Sequence, residues 1–226
     1  MAEKREGRKP QPCGSSAADS LRGLIFDCDG VLIDSREANV RFYNLILEAL
    51  GLSEMAPEDE DYVHSQTVME SLRQIVPHSD LERAFQEAKR ISYSTVLPWI
   101  RLQDGLIQAL ERLRSRGVPC AVNTNRTGTM GLILDQFGLR PYFSPVVTAN
   151  TVQHAKPHPE SLYWILSTWE LTPESVVFIG DTDVDCRTAA AAGVPFWSFH
   201  NGDLVAERHI GDHREVADVM EKMLES

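Results

Sequence analysis

Apolar positions along this chain follow two different periods. Leu24-Ile25-Phe26 is a short bulky run that ends in Asp27-Cys28-Asp29-Gly30, the pattern of a buried strand opening into a turn. After Ser35, Phe42, Tyr43, Ile46, Leu47 and Leu50 recur at helical spacing, and Gly51 stands where a helix C-terminus favours glycine. Ser53 to Asp61 is polar and acidic and reads as a loop. Met69, Leu72, Ile75 and Val76 form a second helical stripe stopped by Pro77, and Leu81, Phe85, Ala88, Ile91 and Thr95 form a third that ends before Pro98. The stretch after Ser35 therefore reads as a small all-helical unit.

From Asp104 helices and strands alternate. Leu106, Ile107, Leu110 and Leu113 mark a helix ended by Gly117, and Val118–Asn125 is a strand with a polar far end. Met130, Ile133, Leu134 and Phe137 predict a helix, Pro145–Thr148 a short strand, and Leu162, Ile165, Leu166 and Trp169 another helix. Val176–Ile179 is the most apolar strand. It runs into Gly180-Asp181, an alanine-rich helix to Gly193, a strand around Pro195–Phe199 and a final helix carrying Val216, Val219, Met220 and Met223.

Strands separated by single helices predict a parallel sheet with helices on both faces, a Rossmann-like α/β core. The first crossover, from Asp29 to Cys120, far exceeds the roughly dozen residues such a link needs. The expected organisation is a disordered tail over 1–20, a catalytic core of 21–35 and 104–226, and an inserted helical cap over 36–103 hinged near Ser35 and Leu102–Gly105.

Composition narrows the partners. Acidic residues exceed basic ones by 11, which argues against a nucleic-acid or anionic-membrane surface and leaves small substrates open. No apolar run is long enough to span a bilayer. Cys13, Cys28, Cys120 and Cys186 lack metal or disulfide spacing and suit free thiols in a reducing, cytoplasmic setting. A monomer or a homodimer is expected, with Trp164 and Trp169 as core or interface residues.

Ligands in parallel sheets sit at the carboxyl ends of the strands. The layout places Asp27 and Asp29 there, on one face of the first strand because residues i and i+2 point together. Thr124 and Asn125 end the second strand, Asp181 and Asp185 follow the fourth, and Lys156 precedes a helix shortly after the third. Carboxylates, a hydroxyl and an ammonium on one rim suit phosphoryl transfer. Two or three carboxylates hold Mg²⁺ through oxygen ligands, and the metal with Lys156 neutralises a phosphate dianion. Thr124 and the Asn125 backbone amide can donate to phosphoryl oxygens, and a carboxylate can attack phosphorus to give an aspartyl-phosphate that water removes.

Asp27-Cys-Asp-Gly-Val-Leu-Ile-Asp-Ser35, Thr124-Asn125, Lys156-Pro157 and Gly180-Asp-Thr-Asp-Val-Asp185 resemble, in order, the four motifs of the haloacid dehalogenase superfamily. The helical insertion, Val146-Val-Thr-Ala149 and Lys156-Pro-His-Pro-Glu160 resemble its phosphoglycolate phosphatase and β-phosphoglucomutase branch. The resemblance implies Asp27 as nucleophile and Asp29 as general acid, then base, giving its backbone carbonyl to Mg²⁺. It implies Thr124 and Asn125 as phosphoryl ligands, Lys156 as a bridge between phosphate and nucleophile, and Asp181 as a direct metal ligand. Asp185 would be a ligand through water or a brace for Lys156. As an acid near neutrality, Asp29 is expected to have a raised pKa, supplied by burial under the cap.

A carboxylate at position 29 favours phosphate esters over carbon–halogen or carbon–phosphorus cleavage, since members of those types usually lack it. The cap's one lysine, Lys89, is expected outside any cap loop. The reading is a Mg²⁺-dependent phosphatase of a small phosphorylated metabolite; the alternatives are a sugar phosphomutase and a non-enzymatic phospho-switch or scaffold. The cap segment Tyr62–Gln66 lacks the glycine that this branch often carries, and Asn150 and Arg126 depart from its usual residues. Arg126 is expected to be solvated or to touch substrate, and His64 and Arg73 are possible cap contacts. Cys28 is expected to face the core, Asp183 solvent, Asp34 the following helix or hinge, and His209 and His213 to form a surface pair.

Overall fold

The computed structural model describes residues 21–225, so the expected tail lies outside the described residues. Along the chain, β1 (Gly23–Phe26) is followed by β2 (Ile33–Asp34), α1 (Arg36–Leu50), α2 (Glu60–Ser65), α3 (Val68–Ile75), α4 (Leu81–Arg90) and β3 (Arg101–Leu102). Then come α5 (Leu106–Ser115), β4 (Cys120–Asn123), α6 (Met130–Gln136), β5 (Val146–Val147), α7 (Glu160–Trp169) and β6 (Val176–Gly180). The chain closes with α8 (Asp183–Ala192), β7 (Phe196–Phe199), β8 (Arg208–Ile210) and α9 (His213–Leu224).

Six strands form one sheet in the order β5-β4-β1-β6-β7-β8, and every pair in it is parallel. β1 lies in its middle, buried on both faces, which is why its apolar run does not alternate. Leu24 and Phe26 pack into the core on one face, and Ile25 into the core on the other with Phe178, Leu162 and Ile165. Cys28, as expected, faces the core and is fully buried. Because β1 and β6 are neighbours, the acids that follow each strand emerge side by side.

The helices α1 to α4 are inserted after β1 and stand over the strand ends as the expected cap. α1 turns Ala38, Phe42, Tyr43, Ile46 and Leu47 inward and closes with Gly51 at φ +73°. The predicted loop 53–61 is shorter than expected, because α2 begins at Glu60. The third stripe does not run on as one helix: α4 ends at Arg90, and short 3₁₀ turns at Tyr93–Thr95 and Leu97–Trp99 lead to the hinge. Tyr93 from this stretch packs edge-on against Phe42, their centroids 5.7 Å apart. The chain's two passages between core and helical insertion meet in one antiparallel ribbon, Ile33 opposite Leu102 and Asp34 opposite Arg101. Asp34 also accepts from the Arg36 N–H at the start of α1.

β8 and the seat of His213 were not anticipated. His209 lies on β8, whereas His213 opens α9 and is fully buried, so the two are not a surface pair. The His213 Nε2–H donates to the Val31 carbonyl at 2.6 Å, and the ring stacks on Phe199. It thereby ties the last helix to the turn after β1. Burial is the main cause that lowers its pKa from 6.5 to about 4. Between those values the unfolded chain binds a proton that the folded chain does not. Folding should therefore weaken by about 3 kcal/mol as pH falls through that window. Denaturant titrations of wild type and His213→Gln from pH 7 to pH 4 measure this, and the variant, which can still donate to Val31, should lack that component.

Candidate active site

Asp27, Asp29, Thr124, Asn125, Lys156, Asp181 and Asp185 all meet at the carboxyl edge of the sheet, beneath the cap. Lys156 is buried, and its ammonium lies 2.6 Å from Asp185 Oδ1 and 2.8 Å from Asp27 Oδ1. Asp185 is the third residue of α8, where it forms a capping box with Thr182: the Thr182 N–H and hydroxyl donate to its Oδ2, and its own N–H donates back to the Thr182 hydroxyl. One carboxylate thus caps a helix with one oxygen and holds the lysine with the other.

Asp27, Asp181 and Asp185 bring one oxygen each within 4.8 Å of one another. Such crowding shifts their titration. Burial, reinforced by Asp185, pushes Asp27 up to about 7 despite Lys156. Burial and the other carboxylates push Asp181 well above the usual range. Burial alone would lower Lys156, but Asp185 and Asp27 outweigh it and keep the ammonium charged. A single cation therefore faces three carboxylates.

Two further features fit a divalent metal here. Asp181 Oδ1 is buried without a hydrogen-bond partner. Gly30, at φ +76°, leaves open the space beside Asp181, since a Cβ there would stand 2.0 Å from Asp181 Oδ2. An oxygen-rich set with an unpaired carboxylate oxygen suits a hard cation such as Mg²⁺. His154, His158 and Glu160 also gather three donor atoms, but on the exposed rim, where Glu160 accepts from the Gln153 and His154 N–H groups.

Thr124 lines the cavity, and its hydroxyl accepts from the Arg126 N–H. The Asn125 side chain clasps the lysine loop: its amide donates to the Lys156 carbonyl at 3.1 Å and accepts from the Lys156 N–H at 3.0 Å. The same amide donates to the cap carbonyl of Ser65. The expectation for Asn125 is a phosphoryl ligand, and this clasp of its side chain on the lysine loop is additional to it.

Asp29 departs from expectation. Burial would raise its pKa, but Arg126 outweighs that effect and lowers it. Arg126 donates through Nε to Oδ2 at 2.7 Å and through Nη2 to Oδ1 at 2.5 Å, and the Ser35 hydroxyl also donates to Oδ1. Arg126 is accordingly buried rather than solvated, with 7 % of its side chain exposed. Sequence reasoning could locate Arg126 after the strand, but its partner lies 97 residues away.

The cavity between core and cap encloses about 70 Å³, and its cap wall includes Asn39, Phe42, Tyr43, His64 and Tyr93. His64 lines it and meets Asn39 at 3.3 Å, whereas Arg73 is exposed and away from it. Asn150, Asp183 and Lys89 are exposed, and Asp183 pairs with Arg187. Trp169 packs on the core and donates to the Ser144 carbonyl, while Trp164 is exposed.

Removing Lys156 should leave the carboxylates uncompensated. Lys156→Met is expected to lose about 3–5 kcal/mol of stability at pH 8 in chelator. Lys156 lowers the Asp27 pKa, so its loss raises that carboxyl above its wild-type value of about 7, and the deficit should shrink as pH falls toward 7 and the acids of the variant protonate. Denaturant unfolding at pH 8 and 5.5 reads both effects.

Comparison with known proteins agrees with this geometry. Residues 24–199 match the family model described as haloacid dehalogenase-like hydrolase. A phosphoglycolate phosphatase of Rhodobacter capsulatus is 31 % identical over 186 residues, covering 79 % of this chain and 84 % of that one. The crystal structure of a haloacid dehalogenase superfamily hydrolase, subfamily IA, variant 1, from Geobacter sulfurreducens is 35 % identical with a TM-score of 0.79, covering 88 % of this chain and 100 % of that one. CbbY from Rhodobacter sphaeroides, solved in complex with phosphate, shares the fold at 21 % identity and a TM-score of 0.72, over 87 % of this chain and 96 % of that one. With most of its length matched and its acids, hydroxyl and lysine gathered on one sheet edge, the chain belongs to the haloacid dehalogenase-like hydrolase family.

Proposed function

We propose that this protein is a Mg²⁺-dependent phosphatase that hydrolyses a small phosphomonoester through an aspartyl-phosphate. The observation that carries the proposal is the cluster of Asp27, Lys156, Asp181 and Asp185 under a cap, with Asp181 Oδ1 left unpaired. Similarity to the phosphoglycolate phosphatase of Rhodobacter capsulatus supports ester hydrolysis as the reaction class.

In this reading Asp27 Oδ attacks phosphorus in line, and the phosphorus–oxygen bond to the leaving alcohol breaks. Asp27 is held for attack by Lys156, whose ammonium also offsets the charge of the incoming dianion. Thr124 and the Asn125 backbone N–H donate to phosphoryl oxygens. Asp29, once its Arg126 fork loosens and it takes up a proton, gives that proton to the leaving oxygen and later takes one from the water that cleaves the acyl-phosphate. Asp185 braces Lys156, and Asn125 fixes the lysine loop. Asp27, the Asp29 carbonyl and Asp181 would hold Mg²⁺, with Asp185 near them. The metal supplies Lewis-acid stabilisation of charge on the phosphoryl group.

The division into a core of 21–35 and 104–226 and a cap of 36–103 belongs to the same proposal. A space of about 70 Å³ is too small for most sugar phosphates and suits a cap that opens to admit substrate and closes to exclude water. The ribbon of β2 and β3 is where such a motion would pivot.

Phosphate release from a panel of small esters, with Mg²⁺ and with chelator, tests this. Wild type should release phosphate only with metal. Asp27→Asn should lose at least about 10³-fold, as expected when a covalent nucleophile is removed. Asp181→Asn should need much more Mg²⁺ for half-maximal rate. A sugar phosphomutase would instead interconvert sugar phosphates with little free phosphate, and a switch would retain a stable phosphoprotein; either result overturns the proposal.

A further inference from the structure

Next to the buried lysine, the chain gathers a second set of ligand types that the phosphatase chemistry does not use. His154 and His158 stand two residues to either side of Lys156, and Glu160 opens α7 two residues further on. His154 Nδ1 lies 2.9 Å and His158 Nδ1 3.9 Å from the same atom, Glu160 Oε2, and the centroids of the two imidazoles are 4.5 Å apart. One donor atom from each residue thus falls within 4.8 Å of the other two. The ligands of a tetrahedral Zn²⁺ lie about 3.3 Å from one another at bond lengths of about 2.0–2.1 Å, which falls between the two separations to Glu160.

The frame around these donors is already fixed. Glu160 Oε1 accepts from the Gln153 N–H at 2.8 Å and Oε2 from the His154 N–H at 3.0 Å, so the carboxylate is tied across the loop. Asn125 clasps the same loop at the N–H and carbonyl of Lys156. Backbone and carboxylate are therefore preorganised, and only the imidazoles need to turn. Between 31 % and 61 % of each side chain is exposed, which lets an ion enter from solvent and leaves room for water as a fourth ligand. None of the three lines the cavity between core and cap.

The donor types decide which ion fits. Imidazole nitrogen suits Zn²⁺, Ni²⁺ and Cu²⁺, whereas Mg²⁺ keeps to oxygen ligands and water, so this set and the carboxylates of Asp27, Asp181 and Asp185 select different metals. We infer that His154, His158 and Glu160 form a binding site for a divalent transition ion of the Zn²⁺ type, separate from the oxygen set proposed for Mg²⁺ and bridging the loop that carries Lys156. The ion takes the place of the proton that His154 Nδ1 donates to Glu160 Oε2, and His154 stays neutral with its proton on Nε2. His158 Nδ1 exchanges the Glu160 N–H, at 3.3 Å, for the ion. Once filled, the site staples the chain on both sides of Lys156. This inference stands independently of the phosphomonoester reading, since none of its ligands takes part in that chemistry.

Competition for Zn²⁺ against a chromophoric chelator and the visible spectrum of bound Co²⁺, both on the full chain in excess Mg²⁺, test it. Wild type should bind one ion per chain at micromolar concentration, with the d–d bands of tetrahedral nitrogen and oxygen ligation and no thiolate charge-transfer band. His154→Gln and His158→Gln should each weaken binding at least tenfold, because each removes one of three protein ligands. Asp181→Asn should leave it unchanged, which separates this site from the carboxylate cluster. Zn²⁺ should also raise the thermal midpoint of wild type and not that of His154→Gln, since an ion that binds the folded chain stabilises it. If one histidine variant does not fold, the other and the wild-type Co²⁺ spectrum decide. Absence of saturable binding at micromolar metal, equal affinity in wild type and the histidine variants, or a thiolate band overturns the inference and leaves the phosphatase reading standing.

Discussion

The site depends on one ammonium held among carboxylates that would otherwise repel one another. Lys156 lies between Asp27 and Asp185 in a region closed to solvent. Burial penalises every one of these charges, and the contacts among them decide which remain ionised. Lys156 stays charged because two acids flank it. Asp181 has no such partner and is pushed strongly toward its neutral form. A divalent cation bound among these oxygens would reverse that.

Around this pair the fold uses each group for two tasks. Asp185 caps α8 and braces the lysine, Asn125 joins the lysine loop to the cap, and His213 ties α9 to the turn carrying Asp29 and Gly30. Gly30 supplies both a positive φ and the absence of a side chain beside Asp181. Positioning is thus achieved by buried hydrogen bonds from rigid strand and helix ends, which costs little reorganisation when charge develops on a bound phosphoryl group.

Asp29 and Arg126 form a second buried pair next to the first, 97 residues apart in sequence. The two pairs behave differently. In the first, burial and a neighbouring acid dominate and Asp27 titrates near 7. In the second, a bidentate guanidinium dominates and Asp29 is lowered. Two aspartates separated by a single residue on one strand end thereby acquire opposite acidities, and the cap above them contributes Tyr93 to the guanidinium's surroundings.

Period and order were enough to place β1, β4, β6 and the longer helices between them, though not the six-residue α2, because a strand buried on both faces reads as a continuous apolar run and an amphipathic helix as a 3.6-residue stripe. The same reading put Asp27, Asp29, Thr124, Asn125, Lys156, Asp181 and Asp185 on one edge, since strand ends in a parallel sheet share a side. It failed where contacts are long-range or elements are short. β8 is three residues long and carries no apolar stripe. The hinge ribbon is two residues on each side and is held by pairing across the whole cap. His213 looks like a surface residue at i+4 from His209 until Phe199 and Val31 close over it. The acidity of Asp29 was misjudged because burial is legible locally whereas the compensating charge is not. The sequence by itself determined which strand ends carry acids, hydroxyl and amine; only the tertiary structure decided which of those charges meet, because pairing in a buried site depends on separations of a few ångströms between residues far apart in the chain.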